Sequence, residues 1–230
     1  MLSGFLALPS SSEYIANEFF TCGMNIAVFA SGRGSNFLAI LNAIESGTLP
    51  ARVALLLSNN ANAGAMETAR EHNIPAVHIS EKHYQSADDF STAMLNVMRK
   101  NNVEVIALAG YLKKIPFAVV RQYRNRIFNV HPALLPKFGG PGMYGHHVHE
   151  AVLAAGETIS GATVHLVDEE YDRGPIVLQK SVAVTPTDTL ETLAEKVLKV
   201  EHEIYPLALA ALAENRLQIE GSNVWLKSTP

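Results

Sequence analysis

The chain has 230 residues, 48% of them hydrophobic and 17% charged, with a formal net charge of −4. That length suits one large α/β domain, and the charge balance speaks against a broad nucleic-acid surface. The single cysteine, Cys22, excludes an intrachain disulfide and a cysteine metal cluster, and no apolar run reaches the ~18 residues that a membrane helix needs.

Residues 1–23 carry Pro9-Ser10-Ser11-Ser12 and no clear period. They lack the basic start and long apolar stretch of a secretory signal, so they are expected to be a poorly ordered leader before a domain over 24–230. Asn25 to Ala30 is apolar on both faces, as a buried parallel strand should be. The loop Ser31-Gly32-Arg33-Gly34-Ser35-Asn36 leads into a helix with apolar residues at Phe37, Leu38, Leu41 and Ile44, ended near Gly47. Val53 to Leu57 predicts strand two, Asn62 to His72 a helix, and Pro75 to Ile79 a short third strand. Asp88 to Lys100 is an amphipathic helix, and Val103 to Ala109 and Arg126 to Val130 are strands four and five. Strands alternating with helices predict a doubly wound, mostly parallel sheet. This is a Rossmann-like half over 24–130, built to bind a nucleotide or phosphate.

Beyond residue 137 the pattern changes. His146 to Ala155 reads as a helix. Ala162 to Val167 and Ile176 to Val184 read as strands, and their short connection predicts an antiparallel addition. Thr189 to Asn215 predicts a long helix capped by Thr187-Asp188 and kinked or broken at Pro206. Arg216 to Ile219 is a last strand, and Trp225 reads as a packing residue. The C-terminal half, 131–230, reads as a second subregion of the same domain.

Candidate chemistry concentrates in a few places. In Ile127-Phe128-Asn129-Val130-His131-Pro132, Asn129 and His131 stand two apart on a strand and face the same side. Pro132 stops the strand. An amide donor beside an imidazole suits an acyl or formyl transfer, one group for an oxyanion and one for a proton. Gly34, Ser35 and Asn36 open a helix, where glycine allows close approach and free N–H groups favour an anion. The alternative there is a plain turn capped by Ser35. Position 37 is Phe, where a dinucleotide fingerprint has glycine, so a single phosphate is expected. Asp172 lies in a loop crowded by Asp168, Glu169 and Glu170, a setting that raises a buried carboxyl. His146, His147 and His149 do not share one helix face, and no metal site is expected. Leu112 with Lys113, Lys114 and Ile115 follows strand four and suits a flat heterocycle with an anionic tail.

Six segments together carry a resemblance: Ala30 to Asn36, Ala107 to Leu112, Asn129 to Pro136, Gly161 to His165, Asp172 to Pro175 and Glu201 to Pro206. From Met24 onward the chain resembles the phosphoribosylglycinamide formyltransferases, folate-dependent enzymes of purine synthesis. The resemblance implies transfer of the formyl group of 10-formyltetrahydrofolate to the amine of glycinamide ribonucleotide. It implies Asn129, His131 and Asp172 as the catalytic trio, with His131 protonated, and Thr163 and His165 behind them. It implies Gly34, Ser35, Asn36, Pro132 and Glu201 as contacts to glycinamide ribonucleotide. The folate contacts it implies are Leu112, Lys113, Lys114, Ile115, Asn129, Asp168, Glu169, Glu170, Tyr171 and Asp172.

Two departures stand out. The loop Gly139 to Gly145 is longer than in many relatives. The arginine that some relatives place before the third helix is replaced by Ala87-Asp88-Asp89, which leaves the folate tail to Lys113 or Lys114. The nearest alternative is a formyltetrahydrofolate hydrolase, which has no use for a phosphate loop and is expected to carry a regulatory domain ahead of this one. A methionyl-tRNA formyltransferase is expected to carry a further C-terminal domain and a basic face. A nicotinamide-dependent oxidoreductase is expected to end strand two on an acidic residue, where Ser58-Asn59 stand. The chain is expected to be cytoplasmic and to act on small molecules without a metal, nucleic acid or membrane, as a monomer or weak homodimer.

Overall fold

The computed structural model describes residues 23–221 and 223–227. Cys22 and the expected leader, Gly23 apart, lie outside the described residues.

Five strands run parallel: β1 (Met24–Phe29), β2 (Ala51–Ser58), β3 (Ala76–His78), β4 (Val105–Leu108) and β5 (Ile127–His131). Between them run α1 (Ser35–Glu45), α2 (Gly64–Glu71), α3 (Ala87–Lys100) and α4 (Phe117–Gln122). After α5 (His146–Ala154) come β6 (Ile159–Leu166) and β7 (Ile176–Ala183), both antiparallel to their neighbours. The helix α6 (Leu190–Ala213) and a separate hairpin of β8 (Leu217–Glu220) and β9 (Asn223–Leu226) complete the described chain. The seven-stranded order is β3-β2-β1-β4-β5-β6-β7. The expected fold class, a doubly wound parallel sheet with an antiparallel addition, is what forms.

Alternation along the central strands decides the two layers. Ile26, Val28 and Ala30 join the core with Phe37, Ile40 and Leu41 of α1, Val152 of α5 and Leu193 and Val197 of α6. Ala27 and Phe29 face the other way, against Phe90, Met94 and Met98 of α3 and Val119 of α4. Order reverses between β1 and β4, so the loops after these two strands diverge and leave a crevice at their carboxyl ends. Ser31 ties that edge together. Its hydroxyl donates to Asn59 Oδ1 (2.5 Å) and accepts from the Leu112 N–H (2.8 Å).

Four details depart from the sequence reading. α4 has no counterpart among the elements expected from sequence, because six residues are too few for a period to show. α6 continues through Pro206 without a break. Tyr205 holds the helix at this point: fully buried, its hydroxyl lies 3.0 Å from the carbonyls of both Leu108 and Phe128, tying the helix to β4 and β5. The cap of α6 is Thr189, in a reciprocal box with Thr192, while Asp188 instead pairs with Lys196 at 2.6 Å. Trp225 lies on β9 and is 45% exposed, so it is not a core residue. Its hairpin lies outside the main sheet.

Candidate active site

β5 carries Asn129 and His131 to its carboxyl end, with His131 buried at 3% exposure. Antiparallel pairing sets His165 of β6 opposite Asn129 and Thr163 opposite His131. The carboxylate of Asp172 comes in from the β6–β7 loop. Its Oδ2 is 3.7 Å from His131 Nδ1, and its Oδ1 is 3.6 Å from His165 Nε2. Asn129 Nδ2 is 3.0 Å from His165 Nε2. The three residues expected to act together therefore meet, with His165 among them.

Two backbone groups of the long 138–145 loop complete the arrangement. Gly140 N–H donates to Asp172 Oδ2 (2.8 Å), and the Phe138 carbonyl lies 2.8 Å from His131 Nε2. A carbonyl only accepts, so His131 Nε2 carries a proton. The nitrogen free to titrate is Nδ1, the one that faces Asp172. Burial holds the imidazole below its ordinary value and outweighs the upward pull of Asp172 and of the Phe138 carbonyl. Burial thus favours the neutral ring at rest, and the protonated ring that the resemblance implies belongs to the oxyanion stage. Asp172 lies below the usual carboxylate range. Burial would raise it, but the nearby His165 ring, the Gly140 N–H bond and the His131 ring prevail. The expected rise from crowding does not occur, because Asp168, Glu169 and Glu170 point to solvent.

The loop holding Asp172 has little freedom. Asp172 itself adopts φ 55°, a left-handed conformation that aspartate tolerates better than most residues. Two residues on, any Cβ on Gly174 would collide with the Leu166 carbonyl. The turn after His131 is held from β6 and β7. Thr163 Oγ1 donates to the Ala133 carbonyl (2.6 Å) and accepts from Leu135 N–H (3.1 Å), while Gln179 Nε2 reaches the Leu135 carbonyl (2.9 Å). Gln179 was not foreseen. Nothing local marks a glutamine on a strand, and only the β6–β7 register brings it there.

At the start of α1, Gly34 is the N-cap at φ 82°, with no side chain bonded to the first turn. Ser35, exposed, does not cap the helix. Asn36 is buried, and its amide donates to Glu201 Oε2 at 2.6 Å, while its Oδ1 has no partner. The Asn36 side chain is thus committed to Glu201, and its own approach to an anion runs through the backbone. Burial pushes the Glu201 carboxyl up to about 7, partly offset by Asn36. Tyr205, one turn further along α6, anchors this position. That is the structural content of the Glu201 to Pro206 segment, which local sequence could not supply.

The raised carboxyl has a consequence for stability. A carboxyl raised in the folded state contributes fully below its unfolded value of about 4.5 and loses that contribution as pH rises through about 7. Glu201→Gln is therefore expected to stabilise the protein above pH 7 by roughly 2–3 kcal/mol, with the gap closing below pH 5. Melting curves of both forms across pH 4–8 decide it. A pH-independent difference would mean that Glu201 is not held protonated by the fold.

The other expected segments also lie on the carboxyl edge. Ile115 is buried, whereas Leu112, Lys113 and Lys114 are exposed. Lys114 Nζ stands 5.5 Å above the ring of Tyr171, so the segments after β4 and β6 touch. Pro132 is half-buried directly after His131. His149 is buried with Nδ1 unpartnered, while His147 is exposed beside Glu150. Among the described residues no group of three or more His, Cys, Asp or Glu could hold a metal ion, and no helix is long and apolar enough to cross a membrane.

The formyl transferase family profile matches residues 24–209, which include every residue of this site. The chain belongs to the formyl transferase family. A chloroplastic phosphoribosylglycinamide formyltransferase of Arabidopsis thaliana is 43% identical over 194 residues, and the match covers 84% of this chain and 66% of that protein. The chain thus spans just under two thirds of that plant relative. The phosphoribosylglycinamide formyltransferase of Bacillus subtilis is 39% identical over 186 residues, covering 81% of this chain and 93% of its own length. The crystal structure of glycinamide ribonucleotide transformylase 1 from Symbiobacterium toebii superimposes with a TM-score of 0.85 at 36% identity, covering 95% of this chain and all of that one. In this formyl transferase the Asn129, His131 and Asp172 cluster lies at the carboxyl end of β5, one strand beyond the switch between β1 and β4 and on the same edge, where ligands of such sheets collect.

Proposed function

We propose that this chain is a phosphoribosylglycinamide formyltransferase: it transfers the formyl group of 10-formyltetrahydrofolate to the primary amine of glycinamide ribonucleotide in purine biosynthesis. The observation that carries the reading is the convergence of Asn129, His131 and Asp172 on the same carboxyl edge of the sheet as an uncapped helix start. One part suits a tetrahedral oxyanion and its proton traffic. The other suits a phosphate monoester.

The amine nitrogen attacks the formyl carbon on N10 of the folate. The carbonyl oxygen becomes an oxyanion, met by an Asn129 N–H and by His131, which stands as imidazolium beside the Asp172 carboxylate at that stage. The proton lost by the amine passes to N10, with Asp172 and His131 Nδ1 as the relay, and the C–N10 bond breaks. The products are formylglycinamide ribonucleotide and tetrahydrofolate. Backbone N–H groups of Gly34, Ser35 and Asn36 hold the phosphate, and Glu201 and Pro132 bound the ribose. The heterocycle lies between Leu112 to Ile115 and Asp168 to Asp172. A metal has no part in these steps. A reducing compartment such as the cytoplasm suits a chain with one cysteine.

Glycinamide ribonucleotide and 10-formyltetrahydrofolate are incubated with the protein and with His131→Ala. Formylated product from the first, and its loss in the second, is expected. Free formate without formylated amine would make the protein a hydrolase, a function for which the helix-start anion site has no use. The folate tail supplies a separate check. Replacing Lys113 and Lys114 by alanine is expected to raise the folate KM about 2- to 5-fold per lysine with kcat kept. An unchanged KM would mean that the tail is bound elsewhere.

A further inference from the structure

His165 is 2% exposed, and both of its ring nitrogens have neighbours that restrict them. Nδ1 lies 2.9 Å from the Leu166 carbonyl, which only accepts, so Nδ1 carries a proton. Nε2 lies 3.0 Å from Asn129 Nδ2, an amide nitrogen that only donates, so Nε2 is an acceptor. The Asp172 carboxylate, at 3.6 Å, is beyond hydrogen-bond reach of Nε2 and has no proton to offer. The amide and the ring are therefore coupled. A neutral His165 protonated on Nδ1 takes the nitrogen end of Asn129, whereas an imidazolium would require the oxygen end.

We infer that His165 is a positioning residue: its neutral Nδ1–H tautomer fixes which end of the Asn129 amide faces β6, and so aims the second N–H of that amide at the reaction centre. The aim of the amide matters because an oxyanion donor must be in place before charge develops. Leu166 supplies the restraint through its backbone, and any residue with a carbonyl would do so. The part played by His165 is specific to the lone pair on Nε2. A glutamine can present an oxygen there, and a leucine cannot.

The inference rests on the proposed role of Asn129 as oxyanion donor, yet its first half can be read without substrate. Ring ¹⁵N shifts of the full chain at neutral pH, assigned by the signals lost in His165→Leu, are expected to show a protonated Nδ1 and an unprotonated Nε2. A proton on Nε2, in either the other tautomer or the imidazolium, overturns the inference. In the formyl-transfer assay His165→Leu is expected to lose about tenfold in kcat with both KM values kept, and His165→Gln to recover most of it. Equal losses in both variants, or none, would show that the acceptor does not position Asn129. The expected tautomer in a chain that forms no formylated product would leave the ring assignment standing and remove the transfer reading instead.

Discussion

Asp172→Asn lowers turnover by about 10²–10³-fold while the fold persists. The substitution keeps the shape of the side chain and an oxygen for the Gly140 N–H. What it removes is the charge that faces His131 Nδ1 at 3.7 Å. Burial already holds that imidazole below its ordinary value, and Asp172 is the largest influence working the other way. Without it the imidazolium forms still less readily, and the relay between amine and N10 loses its carboxylate. Stability changes in a defined window as well. A carboxyl lowered by folding stabilises above its unfolded value of 3.8 and loses that contribution as pH falls through its folded value. The asparagine form is therefore expected to be less stable at neutral pH, and the difference should shrink under strong acid. Steady-state kcat with both substrates saturating, beside far-ultraviolet circular dichroism, tests the claim. Turnover within a few-fold of the parent in a folded variant would exclude Asp172 from the mechanism.

Asn129→Ala is expected to cost a similar factor, about 10²–10³ in kcat, for a different reason. The oxyanion exists only once the amine has attacked, so its donor contributes to the transition state and not to ground-state binding. Both KM values should therefore change little. The change also leaves His165 Nε2 without the donor it now has, which adds a small structural cost. The two variants separate by their pH profiles. Removing Asp172 shifts the limb that reports His131, whereas removing Asn129 lowers the whole curve without moving it. A large rise in either KM with kcat kept would make Asn129 a binding residue.

Much of this site could be read along the chain. Asn129 and His131 share a face because a strand repeats every two residues, and Pro132 marks where that strand stops. The loop Ser31 to Asn36 reads as an anion-binding turn because glycine and a helix start are both local properties. Asp172 could be named only through resemblance, since a turn aspartate looks the same whether or not it meets a histidine. Gln179, the Phe138 carbonyl and the Gly140 N–H were not legible at all. A backbone group has no side-chain identity to read, and Gln179 reaches Thr163 only because β7 pairs with β6 in one register. The Tyr205 hydroxyl is a similar case: the carbonyls it meets belong to residues 97 and 77 positions away.

The sequence by itself determined the alternation of strands and helices, the layers they form and the pairing of amide with imidazole on one strand. These follow from periods of two and 3.6 residues and from local turn chemistry. Only the tertiary structure decided the charge state of the site. It buried His131 into a neutral resting form, drew Asp172 down and lifted Glu201. Each outcome depends on desolvation and on partners distant in the chain, and neither is a property that a residue carries with it.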